Sequence, residues 1–477
     1  MPRLPLRIVS RPIALATGLL LALGPTAPAE AVTPPPPGVV TTQVSFPTGT
    51  VRDALGNTLL ADRHGRALQL HGANLGKVDD ITERGVANMA AAGLTLLRYP
   101  IQWRKVEPTQ GAYDAAYVGK IRDVLAWGEK YGLLVLIDWH QDVFGPAFGF
   151  DGIPAWATRT DGIEFEPVEG NWFMNYYHPA VQAAFTHLWR DEDLQQAQVA
   201  AWTYLADQLA GAPALLGYDL FNEPMIKSDT ELGEMYERVI AGIRTVDQRS
   251  WLWVEPTVLV GEGQPTGLPA FDDPRPGKDR IGYAPHAYST SVEDGDDWDT
   301  SSGFVGMYES AVTTYPRRHR MPVIVGEWGP ITADESHPGN RELVRQQVAS
   351  FPRFATGWAI WYACESATGG GYCIFADDEG HLHPGRAAAW RPYPLALAGT
   401  AINEVASKRR YRLTFVPKAG AASQLVVPSG FGDRLSVQVP RGVTAKVSAP
   451  SRTGARTVTL TGRVAKNALW TLTITPR

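Results

Sequence analysis

Short apolar runs bounded by polar or turn residues recur at residues 68–75, 94–100, 133–140, 215–221, 251–255, 281–286, 322–326 and 356–362. Runs of this length without alternation read as strands buried on both faces, the pattern of a parallel sheet. Between them lie stretches with helical periodicity, among them residues 117–131, 231–246 and 341–351. Eight strands alternating with helices predict an α/β fold, a (β/α)8 TIM barrel over residues 44–399. A doubly wound open sheet is the rival, but no Gly-x-Gly-x-x-Gly turn follows any of the runs.

The two ends of the chain have other textures. Residues 409–477 alternate apolar and polar positions between Gly and Pro turns, which predicts a small C-terminal antiparallel β-sandwich over residues 400–477. Polar turns with glycine at 51–57 and 61–66 predict hairpins leading into the barrel. At the start, Arg3, Arg7 and Arg11 precede an apolar stretch at 13–23, and Ala29, Glu30 and Ala31 offer a small-residue cleavage site. That is the pattern of a signal peptide over 1–31, cleaved near Ala31 and giving a secreted protein; the apolar stretch is too short to span a bilayer. Pro34 to Pro37 stiffen a tether over 32–43.

Export bears on the two cysteines, Cys364 and Cys373, which are expected either to form a disulfide or to remain buried thiols. No Cys/His spacing suggests a metal, and no motif suggests a cofactor. A hydrophobic content of 44% with 19% charged residues is globular. The net charge of −5, taken over the whole chain, gives no basic footprint for nucleic acid. A monomer is expected.

Chemistry gathers where the apolar runs end. The run from Leu215 stops at Asn222, Glu223 and Pro224, and the run from Met321 stops at Glu327 and Trp328. Buried strands have no packing use for terminal carboxylates, and in a barrel the strand exits form the mouth where catalytic groups sit. Exits of the fourth and seventh strands can face each other there. A retaining glycosidase needs two carboxyl groups about 5–5.5 Å apart. In that scheme Glu223 is the acid/base, with a raised pKa, and Glu327 is the ionised nucleophile, held by Arg98 and Tyr288. Asn222 would bond the sugar 2-hydroxyl. The competing reading places both glutamates in surface salt bridges.

Arg98, His140, Asn222, Glu223, His286, Tyr288, Glu327 and Trp361 fall in the order of the active-site set of glycoside hydrolase family 5, which the chain resembles over roughly residues 44–399. The resemblance implies the barrel, retention of configuration, and the roles just given to Glu223 and Glu327. It also implies that His140 and Trp361 shape the subsite beside the cleaved bond, with Trp358 a competing choice for the latter. Within the family, the run from Asp138 to Asp142, the segment at 171–175, the motif at 391–394 and the C-terminal sandwich resemble endoglycoceramidases.

That resemblance implies cleavage of glycosphingolipids between glycan and ceramide, with Lys77, Asp138, Asp142, Trp172 and His286 in the substrate-binding set. The spacing around Asn74 and Lys77 leaves glucosyl- and galactosyl-ceramide linkages both open. Aromatics at 143–150, with Trp156, Trp172 and Phe173, suit an apolar groove for ceramide and transient contact with a membrane surface or micelle, or else pack a long insertion. A cellulase- or mannanase-type endoglycosidase and a non-catalytic glycan-binding protein are the alternatives.

Overall fold

Eight parallel strands follow one another around a barrel: β4 (Leu70–Leu75), β5 (Leu96–Ile101), β6 (Leu134–Trp139), β7 (Leu215–Asp219), β8 (Trp251–Val254), β9 (Ile281–Tyr283), β10 (Ile324–Val325) and β11 (Gly357–Ala363). Before them come β1 (Gly49–Arg52), β2 (Thr58–Ala61) and β3 (Ala67–Leu68). The computed structural model describes residues 44–77, 81–226, 228–364 and 371–477; the predicted signal peptide and tether lie outside these. The barrel sheet runs β10-β11-β4-β5-β6-β7-β8-β9. It closes through parallel bridges from Tyr283 to Val323 and from Ala287 to Trp328. The expected (β/α)8 architecture is therefore present.

The helices between the strands are α1 (Glu83–Ala92), α2 (Trp103–Val106), α3 (Ala115–Tyr131), α4 (Pro179–Arg190), α5 (Glu192–Leu209), α6 (Asp229–Arg244), α7 (Thr290–Glu293), α8 (Phe304–His319) and α9 (Pro338–Ser350). Helix α3 shows why these form. Asp114 caps it by accepting from the N–H groups of Ala116 and Tyr117 at 2.8 and 3.0 Å. Tyr117, Ile121, Val124, Leu125 and Gly128 make one buried face, and Gly132 ends the helix at φ +76°. Between β8 and β9 the described residues hold only a 3₁₀ turn, Val258–Glu262.

One end of the barrel is sealed with hydrocarbon. Leu70, Leu96, Leu134, Trp251 and Ile324, each the first residue of its strand, form one buried cluster with Leu60, Leu68, Tyr393, Leu395 and Val426. Trp253 fills the interior because Gly282 opposite lacks a side chain; a Cβ there would lie 2.2 Å from the indole. The lid on this end is a seven-stranded sheet in which β1, β2 and β3 continue into β12 (Tyr393–Leu397), β15 (Ser423–Val427), β18 (Arg456–Gly462) and β17 (Val443–Val447).

A second, four-stranded sheet consists of β13 (Gly399–Ser407), β14 (Arg410–Pro417), β19 (Trp470–Pro476) and β16 (Leu435–Gln438). The two antiparallel sheets share a core of Leu397, Tyr411, Phe415, Leu425, Val458 and Leu472. The period-two alternation at 409–477 is this core seen along the chain. Residues upstream of it, from β1 to β3 and β12, belong to the same seven-stranded sheet, so the C-terminal layer is continuous with the closed end of the barrel.

Candidate active site

At the opposite end of the strands polar side chains replace leucine, and Arg98 of β5 sits at their centre. Its guanidinium is buried among four carboxylates: Glu327 at 2.6 Å, Glu255 at 2.8 Å, Asp219 at 2.9 Å and Asp138 at 3.0 Å. It also donates to Asn74 Oδ1 at 3.0 Å and Asn222 Oδ1 at 2.9 Å. Six strands thus contribute to one hub, since Arg98 stands on β5 and its partners come from β4, β6, β7 and the exits of β7, β8 and β10. Burial pushes Asp219 well above the usual carboxylate range, Glu255 adds to the rise, and the nearby guanidinium only partly opposes it.

Glu223 and Glu327 meet across this hub. Single oxygen atoms of the two, with one ring nitrogen of His286, lie within 4.8 Å of one another. His286 Nδ1 is 2.8 Å from Glu223 Oε1 and 4.0 Å from Glu327 Oε2, while Nε2 is 3.3 Å from Glu255. Burial lowers the imidazole's pKa, but Glu255 and Glu327 outweigh it and hold His286 well above its ordinary value. Tyr288 donates to Glu327 Oε2 at 3.0 Å, opposite the Arg98 contact on Oε1. Burial raises the Glu327 pKa and the charge of Glu223 adds to the rise, against the pull of His286 and Arg98. So close an approach of single oxygens is compatible with the roughly 5–5.5 Å carboxyl separation of a retaining pair.

Glu223 stands in the left-handed region at φ +44°, which costs a non-glycine residue about 1–2 kcal/mol. Two side chains hold it there through three hydrogen bonds. Glu255 accepts its N–H at 2.9 Å, and Gln141 Nε2 donates to the carbonyls of Asn222 and Glu223, each at 3.0 Å. Gln141 in turn is fixed by the Tyr176 hydroxyl and the Phe144 N–H. Asn222 donates from Nδ2 to Gln141 O at 3.1 Å, leaving its other amide hydrogen available.

A second group lies beside the pair. Lys77 is ion-paired with Asp142 and sits 5.0 Å above the centroid of the Trp361 ring. His140 stacks on the same ring at 5.9 Å, and its Nδ1 is 2.7 Å from Asp138. Burial and Lys77 push His140 down, but Asp138 and Asp142 outweigh them and lift it to about 9. Burial raises Asp142, yet Lys77 and His140 prevail and hold it below the carboxylate range. Trp358 is different: it packs in the core against His71 and Trp328, so Trp361 is the tryptophan at the mouth.

Trp172 lies outside this buried network. It is 48% exposed on the turn Trp172–Tyr177, its ring against Phe150 and Tyr176, with Met174 and Tyr177 exposed beside it. The aromatic segment after β6 divides: Phe144 and Phe148 are buried packing, while Trp172 and its neighbours form the rim. Cys364 and Cys373 are bridged.

Three residues of the site carried little signal. Asp219 sits inside an apolar run, Glu255 ends the run 251–255, and Gln141 lies inside the motif at 138–142. An acid at the exit of yet another buried strand was the available sign for Glu255. As metal ligands, Asp138, His140 and Glu327 come within 4.8 Å, but their atoms already pair with one another, Tyr288 and Arg98, and the guanidinium disfavours a cation there.

Comparison with known proteins agrees with this geometry. The model of the cellulase family, glycosyl hydrolase family 5, matches residues 61–366. Endoglycoceramidase I of Rhodococcus hoagii is 24% identical over 443 residues, covering 84% of each chain. The endoglycoceramidase of Hydra vulgaris is 26% identical over 201 residues, which span 35% of this chain and only 39% of that protein. Among solved structures, endo-glycoceramidase II from a Rhodococcus species, in complex with ganglioside GM3, superposes with a TM-score of 0.77 at 28% identity over 88% of this chain and 99% of that one. With the family model covering well over half of its length and the paired glutamates at the mouth of its barrel, the chain belongs to the cellulase family, glycosyl hydrolase family 5.

Proposed function

We propose that the protein is an exported retaining endo-β-glycosidase that cuts glycosphingolipids between the glycan and ceramide. The observation that carries this is the Glu223–His286–Glu327 cluster, in which an oxygen of each glutamate comes within 4.8 Å of one of the other, an approach that suits double displacement. Glu327 attacks the anomeric carbon as a carboxylate; the Arg98 and Tyr288 hydrogen bonds favour that form against the cost of burial. As the glycosidic bond breaks, Glu223 delivers its proton to the ceramide oxygen. Ceramide leaves, and Glu223, now a base, takes a proton from water as that water attacks the glycosyl–Glu327 ester. Free glycan and both carboxyl groups are restored. Asn222 bonds the 2-hydroxyl through its remaining amide hydrogen.

Lys77, Asp142, His140 and Trp361 form the wall that receives the first sugar. The exposed Trp172, Met174 and Tyr177 at the rim suit transient contact with a micelle or membrane surface carrying the lipid. Relatives named for ceramide substrates support the choice of leaving group. Incubation with ganglioside, lactosylceramide, galactosylceramide and a soluble glucan tests it. Ceramide plus intact glycan is expected from at least one lipid, and which lipid is cut identifies the first sugar. Turnover of the glucan alone would reject the ceramide reading.

A further inference from the structure

Glu255 reaches Glu223 from two sides. Its Oε2 accepts the backbone N–H of Glu223 at 2.9 Å, and its Oε1 faces His286 Nε2 at an ion-pair distance of 3.3 Å. The other ring nitrogen of His286, Nδ1, lies 2.8 Å from Glu223 Oε1. Backbone, imidazole and two carboxylates thus close a ring that starts and ends on Glu223. Glu255 is itself fixed, buried just past the end of β8. Arg98 donates to its Oε1 at 2.8 Å. The Tyr236 hydroxyl accepts from its N–H at 3.1 Å and donates to its carbonyl at 2.9 Å.

A ring of this kind dictates the protons on the imidazole. An ionised carboxylate offers only acceptors, and a neutral imidazole has one donor and one acceptor, whereas an imidazolium donates from both nitrogens. With oxygen on both sides, His286 is matched to two carboxylates only when both of its nitrogens carry hydrogen. Charged and titratable groups face it from five directions: Glu223 beyond β7, Glu255 beyond β8, Tyr288 beyond β9, Glu327 beyond β10 and Arg98 on β5. Burial disfavours the charged ring, and Glu255 is the foremost group opposing burial, ahead of Glu327.

We infer that Glu255 is a positioning residue for proton transfer, a role that rests on Glu223 being the acid/base. It holds His286 as an imidazolium whose Nδ1–H occupies Glu223 Oε1, which leaves Oε2 to exchange the proton with the leaving oxygen. In the first step that proton passes from Oε2 to the glycosidic oxygen as its bond to the anomeric carbon breaks. The negative charge then developing on Glu223 already has its donor. A charge-assisted hydrogen bond is about twice as strong as a neutral one, so the contact tightens in the transition state and lowers the barrier.

The Glu255→Gln variant keeps the shape and an acceptor but removes the charge. The alkaline limb of its kcat/KM profile should move to lower pH by at least about one unit, because the imidazolium loses its foremost counter-charge. On a phenyl glycoside, whose departure needs a proton, kcat/KM should fall on the order of 100-fold; on a dinitrophenyl glycoside it should fall less than about 5-fold. Asp219→Asn takes a different carboxylate from Arg98 and should move the limb less than about half as far. Nitrogen chemical shifts of His286 in the unaltered protein read the ring directly, and should be those of an imidazolium at the pH of maximal activity. A neutral ring there, an unmoved limb, an equal shift in Asp219→Asn, or equal losses on the two glycosides overturns the role of Glu255. Glu223→Gln separates this from the assignment beneath it. If that variant also treats both glycosides alike, the acid/base assignment fails; if it spares the dinitrophenyl glycoside while Glu255→Gln does not, the role of Glu255 alone fails.

Discussion

The two ends of the barrel are built from the same strands and solve opposite problems. At the closed end Leu70, Leu96, Leu134 and Trp251 bury hydrocarbon under a sheet; at the mouth, further along three of those strands, stand Asn74, Arg98 and Asp138, equally buried but charged or polar. Burial at the first end stabilises by removing apolar surface from water. Burial at the second end carries a desolvation cost, which the Arg98 hub offsets through ion pairs and hydrogen bonds. Stability is concentrated at one end and reactivity at the other, so substitutions at the two should separate.

The largest expected effect is at Arg98. Arg98→Met removes the one guanidinium facing four buried carboxylates, and should cost about 3–5 kcal/mol of stability. Activity should also fall, by more than about 100-fold, because Glu327 and Asn222 lose their donor. Chemical denaturation and kcat/KM on an aryl glycoside measure both; a stable, active variant would remove the hub from the account. At the closed end Leu96→Ala should cost about 2–5 kcal/mol while kcat stays within about 2-fold. A large loss of kcat in the folded variant would show that the two ends are coupled.

The smallest effect is a pH dependence. His140 is lifted to about 9 by Asp138 and Asp142. Its folded pKa lies above its unfolded value of about 6.5, so its contribution to stability is complete below about 6.5 and is lost as pH rises through about 9. The denaturation midpoint should therefore decline over that window, and less steeply in His140→Gln. Parallel declines would place the titration elsewhere.

The same contrast explains what the sequence revealed. All eight barrel strands were legible because buried parallel strands are short apolar runs, and residues 322–326 marked β10 even though its ladder is only Ile324–Val325. Helices predicted at 117–131, 231–246 and 341–351 correspond to α3, α6 and α9 within a few residues at either end. Site residues were legible where a polar group interrupts an apolar exit, as at Asn222 and Glu223. Asp219 was not, because its single carboxyl lies inside the run and its role depends on three neighbours from other strands. The choice between Trp358 and Trp361 also needed the fold, since only packing tells core from mouth.

The central claim is that Glu327 forms a covalent bond to the sugar while Glu223 moves the proton. Trapping with a 2-deoxy-2-fluoro glycoside bearing a dinitrophenyl leaving group, followed by peptide mass spectrometry, tests it directly. The account expects one fluorosugar on the peptide containing Glu327, and none in Glu327→Gln. It also expects Glu223→Gln to accumulate the same adduct, because this leaving group departs without protonation. A label on Glu223, or turnover with no covalent adduct at any time, would contradict it.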